Sequence, residues 1–174
     1  MQNQQIILIH GKNYKQMTKQ LLQAAGETGS AAGKIRDLGL LYAAYCGVIG
    51  APASRGATTH PELVAGVLEY LQENGFRDLR VIEGSWVGSR TSEAVQTSGL
   101  LDVCRQYRVP FIDLQKDASA SYDAKGMQIK VCNEAMRPGF LINMPVLKGH
   151  GQTLITCALK NAKGLIPNSE KRRF

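Results

Sequence analysis

Residues 59–83 read THPELVAGVLEYLQENGFRDLRVIE, and this stretch decides the fold. Thr59 can cap a helix, Pro61 fits its first turn, and Glu62 sits three residues after Thr59, as in a capping box. Leu63, Val67, Leu68 and Leu71 then recur at helical spacing. Gly75 stands where a left-handed residue closes a helix. Leu79 to Glu83 follows as a strand with a continuous apolar centre, which is what a strand covered on both faces needs. Helix, glycine, buried strand is one half of a parallel crossover unit.

Working outward, the same alternation continues. Gln4 to His10 reads as a short strand, and Tyr14 to Ala25 as a helix with Met17, Leu21, Leu22 and Ala25 at helical spacing. Glu27 to Lys34 is a Gly/Ser/Ala-rich loop. Leu38 to Ser54 is an uncharged run containing three glycines, too short and too glycine-rich for a bilayer span, and reads as a buried strand with its loop. Gly84 to Gly88 is a loop. Thr91 to Tyr107 is a helix with a weak point at Gly99, and Val109 to Leu114 a strand. Asp117 to Gly126 is a polar connection, Met127 to Cys132 a short edge strand, Phe140 to Met144 the last strand, and Thr153 to Lys163 the last helix. Strands alternating with helices predict an α/β chain of one domain over residues 1–174: doubly wound, mainly parallel, with helices on both faces.

The chain has 174 residues, 44% hydrophobic and 20% charged, with a net charge of +7. These are the proportions of a soluble globular domain with a sizeable core. From Pro138 onward there are six Lys/Arg against one acid, Glu170. That localised positive field attracts phosphates, carboxylates or nucleotides. The interleaved basic and aromatic pattern of a nucleic-acid reader is absent, so nucleic acid is not the expected partner. Cys46, Cys104, Cys132 and Cys157 show no C-x-x-C spacing, which argues against zinc or iron–sulfur ligation by this chain. Scattered thiols and a start without a basic leader point to the reducing cytoplasm, with no membrane partner.

The candidate chemistry gathers at residues 143–167. Lys148 and His150 lie between glycines, after a strand and before a helix-like run carrying Lys160 and Asn161. In open α/β sheets, ligands bind outside the carboxyl ends of strands. One reading is an anion clamp with His150 as general acid/base or metal ligand; the other is a polar surface turn. Lys160 and Lys163 either complement a helix end capped by Gly164 or form, with Thr153 and Thr156, a polar stripe opposite a buried face of Leu154, Ile155, Ala158 and Leu159. Thr59 and His60 offer a helix N-terminus to an anion, or simply cap it. Ser85, just past the strand ending at Glu83, falls on the same rim. No G-x-S-x-G, Walker A or G-x-G-x-x-G motif occurs.

Gly56-Ala57-Thr58-Thr59-His60-Pro61-Glu62, Glu83-Gly84-Ser85-Trp86, Asn143-Met144-Pro145-Val146-Leu147-Lys148-Gly149-His150 and Ala158-Leu159-Lys160-Asn161-Ala162-Lys163-Gly164 occur in this order. Together they resemble the domain-of-unknown-function 362 family, over about residues 50–174. Some members carry a separate cysteine-rich cluster domain, for which this chain has no matching cysteines. Members usually show a lysine-proline-asparagine motif where this chain reads Tyr45-Cys46-Gly47-Val48-Ile49-Gly50, and they continue beyond the Lys-Asn helix. The resemblance therefore implies a truncated, incomplete domain, with exposed surface open to self-association. A fainter similarity to the N-terminal domain of lactate racemase-like enzymes, which bind a nickel-pincer nucleotide, would make His150 catalytic and Lys160 a cofactor lysine.

The expected function is binding of a small anionic ligand or nucleotide-like cofactor of unknown identity by Lys148, His150, Lys160 and Asn161, with Thr59, His60 and Ser85 on neighbouring loops and no metal. One alternative is a racemase- or oxidoreductase-type enzyme in which His150 moves a proton. Another is a basic module for nucleic acid or an acidic partner.

Overall fold

The computed structural model describes residues 6–27, the backbone of 42–46, and residues 51–137 and 139–173. It is an α/β chain built on a four-stranded parallel sheet. The strands are β1 (Tyr42–Cys46), β2 (Val81–Glu83), β3 (Phe111–Asp113) and β6 (Leu141–Met144), in the order β3-β2-β1-β6. Register pairs Tyr45 with Ile82, Ile82 with Ile112, and Cys46 with Met144. The chain steps from β1 to β2 to β3 in one direction, and β6 is added on the far side of β1. The strand order therefore reverses at the β1/β6 boundary, where open α/β sheets place their ligand crevice.

Helix α1 (Tyr14–Glu27) starts where the Asn13 carboxamide oxygen accepts from the Gln16 N–H at 3.0 Å. Helix α2 (Pro61–Glu73) packs against it. The contact is close because of Gly66: a Cβ there would lie 2.7 Å from the Lys15 carbonyl oxygen and 2.8 Å from Thr18 Cβ. At the other end of α2, Phe76 N–H bonds the Leu71 carbonyl and Gly75 N–H the Gln72 carbonyl, with Gly75 at φ 88°. This is a Schellman ending, as the glycine in the sequence predicts. The start differs from expectation. The cap is His60, whose Nδ1 accepts from Glu62 N–H at 3.3 Å, and not Thr59.

The expected helix Thr91–Tyr107 is two helices, α3 (Thr91–Thr97) and α4 (Leu100–Gln106), because Gly99 adopts φ 81° between them. One face of the sheet (Val81, Phe111, Ile142, Met144) packs against Val64, Val67, Leu68 and Leu71 of α2, Ala94 and Val95 of α3, Leu100, Val103 and Cys104 of α4, and Leu22 of α1. The other face (Ile82, Ile112, Leu141) meets Leu114, Val131, Cys132, Ala135 and Leu165. Alternate residues of β2, β3 and β6 thus enter opposite cores, which explains the adjacent apolar pairs Val81–Ile82, Phe111–Ile112 and Leu141–Ile142. The long helices sit on the first face. A hairpin, the short helix α5 (Asn133–Met136) and a 3-10 turn at Ala162–Leu165 cover the second.

Four expectations are corrected. The described part of the proposed first strand, residues 6–10, is not a strand, and Ile6 and Leu8 are each 88% exposed. Asp117–Gly126 is not a connection: Ser119–Ala124 forms β4, antiparallel to β5 (Met127–Cys132) and outside the main sheet. Lys125 and Gly126 both take positive φ, 56° and 86°, giving the two-residue turn whose twist suits a hairpin. Phe140–Met144 does not hold the last strand, since β7 (Lys148–His150) and β8 (Leu154–Thr156) form a further antiparallel hairpin. The helix expected over Thr153–Lys163 shrinks to α6 (Ala158–Asn161), because Thr153, Ile155 and Thr156 are β-branched and favour extended backbone. Its supposed buried face is outside: Leu154, Ile155 and Leu159 are exposed and Thr156 is buried. Helix α7 (Asn168–Lys171) follows. The loop expected at Glu27–Lys34 and the glycine-bearing ends of the Leu38–Ser54 run lie largely outside the described residues.

Candidate functional site

All four sheet strands run the same way, so the carboxyl ends of β1, β2 and β6 form one rim. Beyond β6, Pro145 ends the ladder and the chain turns into the β7/β8 hairpin. Lys148, at the base of this hairpin, is half-buried, and its ammonium donates to the Ala57 carbonyl in the loop before α2. Two residues on, the Thr59 hydroxyl donates to the Met144 carbonyl at 2.6 Å. The loop before α2 and the loop after β6 are therefore tied across the rim at two points, beside the reversal in strand order.

His150 closes the hairpin. Its Nδ1 accepts from the N–H groups of Gln152 and Thr153 at 3.2 and 3.3 Å. An Nδ1 that accepts leaves the neutral ring's proton on Nε2. Partial desolvation, then the cations Lys160, Lys148 and Lys163, hold its pKa below the usual histidine value. The neutral ring is thus the form at neutral pH. Lys148 is also lowered, first by burial and then by Lys160. Lys160 consequently acts electrostatically on both Lys148 and His150, although it lies ten residues beyond the imidazole.

The position of Lys160 has a visible cause. Asn143, in β6, donates its carboxamide N–H to the Ala158 carbonyl at 2.9 Å and accepts from the Asn161 carboxamide at 2.8 Å. These two bonds fasten α6 to the carboxyl end of β6, so Asn161 holds the helix that carries Lys160.

The other residues singled out in the sequence have different surroundings. His60 caps α2 and faces the Tyr14 ring at 4.6 Å between centroids. Ser85 is buried, donates to the Ser89 carbonyl at 2.8 Å, and shares contacts with Thr91 Oγ1 and Gln115 Nε2 at 3.1 Å each. It organises the loop after β2. Among the described residues, no group of three or more His, Cys, Asp or Glu is placed to hold a metal.

Sequence reasoning missed Lys171. In a run reading Lys171-Arg172-Arg173 it looks like a solvated tail. Its ammonium instead enters the rim and donates to the Gly84 and Ser85 carbonyls at 2.9 and 2.8 Å, leaving the residue 6% exposed. Burial lowers its pKa, with Glu83, Cys132 and Asp113 opposing that effect. Gly84 permits the approach of the same C-terminal arm: a Cβ there would lie 2.3 Å from the Gly164 carbonyl oxygen. No local signal marks either feature, since both depend on segments about 80 residues apart.

The family model described as a domain of unknown function (DUF362) matches residues 47–174. A curated relative, the thylakoid-associated protein sll1697 of Synechocystis sp., is 26% identical over 117 residues. That alignment covers 67% of this chain and 36% of the relative, so the chain spans little more than a third of that protein's length. The chain belongs to the DUF362 family.

Proposed function

We propose that the chain binds a small anionic ligand, carrying phosphate or carboxylate, on the carboxyl rim of its parallel sheet where the strand order reverses. Lys148, His150 and Lys160 make the site, and Asn161 positions Lys160 through Asn143. The observation that carries this reading is the tie of α6 to β6 by the Asn143 carboxamide, which brings a second lysine to the loop already holding Lys148. The charges support it: the groups acting on His150 are three lysines. Such a cluster stands at a cost that a bound anion relieves. A nucleotide-like cofactor is the larger form of the same ligand, and the doubly wound sheet is the form of fold we infer, supported by the order β3-β2-β1-β6. The compartment we infer is the cytoplasm.

An enzymatic reading has one specific support. His150 is held by Nδ1, neutral, with a proton on Nε2, which suits proton transfer to or from a bound ligand.

Calorimetric titration with inorganic phosphate, nucleotides and small carboxylates tests the site. A hydrogen bond to a charged group contributes roughly 1.5–3 kcal/mol, so Lys148→Ala or Lys160→Ala should weaken binding about 10- to 150-fold. Equal binding by wild type and both variants overturns the reading.

A further inference from the structure

Leu147, Leu154, Ile155 and Leu159 are 67%, 85%, 60% and 94% exposed. A run of large aliphatic side chains turned to water along one short segment marks an interaction surface rather than ordinary scatter. The same segment carries Lys148, His150, Lys160 and Lys163, and residues 138 to 169 contain no Asp or Glu. The two kinds of side chain share one element. His150 stands opposite Leu154 in the β7/β8 ladder, Gly149 stands opposite Ile155, and Leu159 precedes Lys160 in α6, which contacts β8. Leu154 is moreover held at φ 61°, a conformation that non-glycine residues rarely adopt.

Two requirements must be met at once. An acidic macromolecule would satisfy the cations but leave the leucines in water. An apolar partner would cover the leucines but desolvate the cations. The boundary of an anionic bilayer satisfies both: aliphatic side chains enter the acyl edge while lysine stems lie along it with their ammonium groups at the phosphates. We infer that the β7/β8 hairpin and α6 dock on the surface of a membrane containing acidic phospholipid, and that the anion taken by Lys148 and Lys160 is the lipid headgroup phosphate. This rests on the anion-binding reading of the same lysines and adds the source of the anion. A surface contact of this kind replaces the expectation of no membrane partner; no helix among the described residues is long and apolar enough to cross a membrane.

Co-sedimentation with vesicles of phosphatidylglycerol and phosphatidylcholine in equal parts, against vesicles of phosphatidylcholine alone, tests the inference alongside the phosphate titration. Wild type should bind the first and ignore the second. Leu154→Gln/Ile155→Thr/Leu159→Gln should lose vesicle binding by about tenfold or more while its phosphate affinity stays unchanged. Leu159→Gln alone, at the most exposed of these side chains, should show a partial loss and serves if the triple variant unfolds. Lys160→Ala should lose about fivefold on vesicles and weaken phosphate binding too. Phosphate binding without vesicle binding overturns the membrane inference and leaves the ligand reading intact; binding to neither overturns both. Vesicle binding undiminished in the apolar variants, or wild type that ignores vesicles but binds RNA or pairs with itself through this face, also overturns it.

Discussion

The Thr59 hydroxyl donates to the Met144 carbonyl at 2.6 Å, across the rim from one loop to another 85 residues away. Thr59 is 1% exposed, while Met144 is only half-buried. Thr59→Val keeps the shape and deletes the donor. It should destabilise the chain by roughly 1 kcal/mol in urea unfolding, the ordinary net contribution of one hydrogen bond. Unchanged stability with a loss of anion affinity would instead make Thr59 a direct ligand.

Gly84 and Gly66 are predicted to tolerate no side chain, for different reasons. At Gly84 a methyl would meet the Gly164 carbonyl at 2.3 Å, prising away the C-terminal arm that carries Lys163 and Lys171. At Gly66 it would meet the Lys15 carbonyl at 2.7 Å and part α1 from α2. Each alanine variant should cost roughly 1–3 kcal/mol, as overpacking does. Gly151→Ala is the control, because a Cβ there meets nothing within 4 Å. Thermal melts of the three variants check this, and equal melting temperatures would refute it.

The thiols should separate by reactivity. Burial pushes the Cys104 and Cys132 thiols up to about 11, and Cys132 Sγ also donates to the Leu114 carbonyl at 3.4 Å. Cys157 is exposed. Alkylation requires thiolate and access, so at neutral pH iodoacetamide should modify Cys157 well before Cys104 and Cys132. Peptide mapping after timed quenching gives the order. Early modification of Cys104 would show that the first core opens readily.

Much of the fold was legible because its signals were local. Pro61, the spacing of Val67, Leu68 and Leu71, and Gly75 define α2 within its own residues, and Gly99 marked the break that became two helices. The strand β4 was missed for another reason: Ser119–Ala124 does alternate, but its apolar members are only Ala120, Tyr122 and Ala124 and all six residues are exposed, so the alternation is weak and buries no face. The C-terminal arm misled for the opposite reason. Leu154, Ile155 and Leu159 follow a helical apolar pattern yet face water, because the β-branched Thr153, Ile155 and Thr156 break the helix and only Ala158–Asn161 remains helical, so the three never line one buried face. At the candidate site, glycines around Lys148 and His150 drew attention to the loop. The Asn143 tie and the burial of Lys171 were beyond reach, because each joins residues that become neighbours only after the sheet has formed.

Lys171 should matter more to stability than its place in a basic tail implies. Lys171→Met removes the donor to the Gly84 and Ser85 carbonyls and leaves Glu83, itself 1% exposed, without the positive charge that acts on it from this side. Breaking such a buried arrangement costs roughly 3 kcal/mol or more. Arg172→Met, at an exposed neighbour, should be close to neutral. Urea unfolding of both variants decides, and equal midpoints would return Lys171 to the solvated tail.

The last prediction concerns the α1/α2 contact under acid. Lys15 and Lys19 both donate to the Glu69 carboxylate, Lys19 at 3.0 Å, and the Tyr107 hydroxyl adds a bond at 2.9 Å. Lys15 first, then Lys19, hold the Glu69 carboxyl down at about 2, against an ordinary 4.5. The folded pKa is below the unfolded one, so the unfolded chain binds the proton more readily. The contribution of Glu69 is therefore fully present above pH 4.5 and is lost as pH falls toward 2. Glu69→Gln cannot ionise and lacks this contribution at every pH. The variant should unfold at lower urea than wild type at neutral pH, and the gap should close steadily on acidification through that window. Added salt should narrow the neutral-pH gap, since these side chains are partly exposed. A gap of constant size from neutral pH down to about 2 would mean that Glu69 joins the two helices by packing and not by charge.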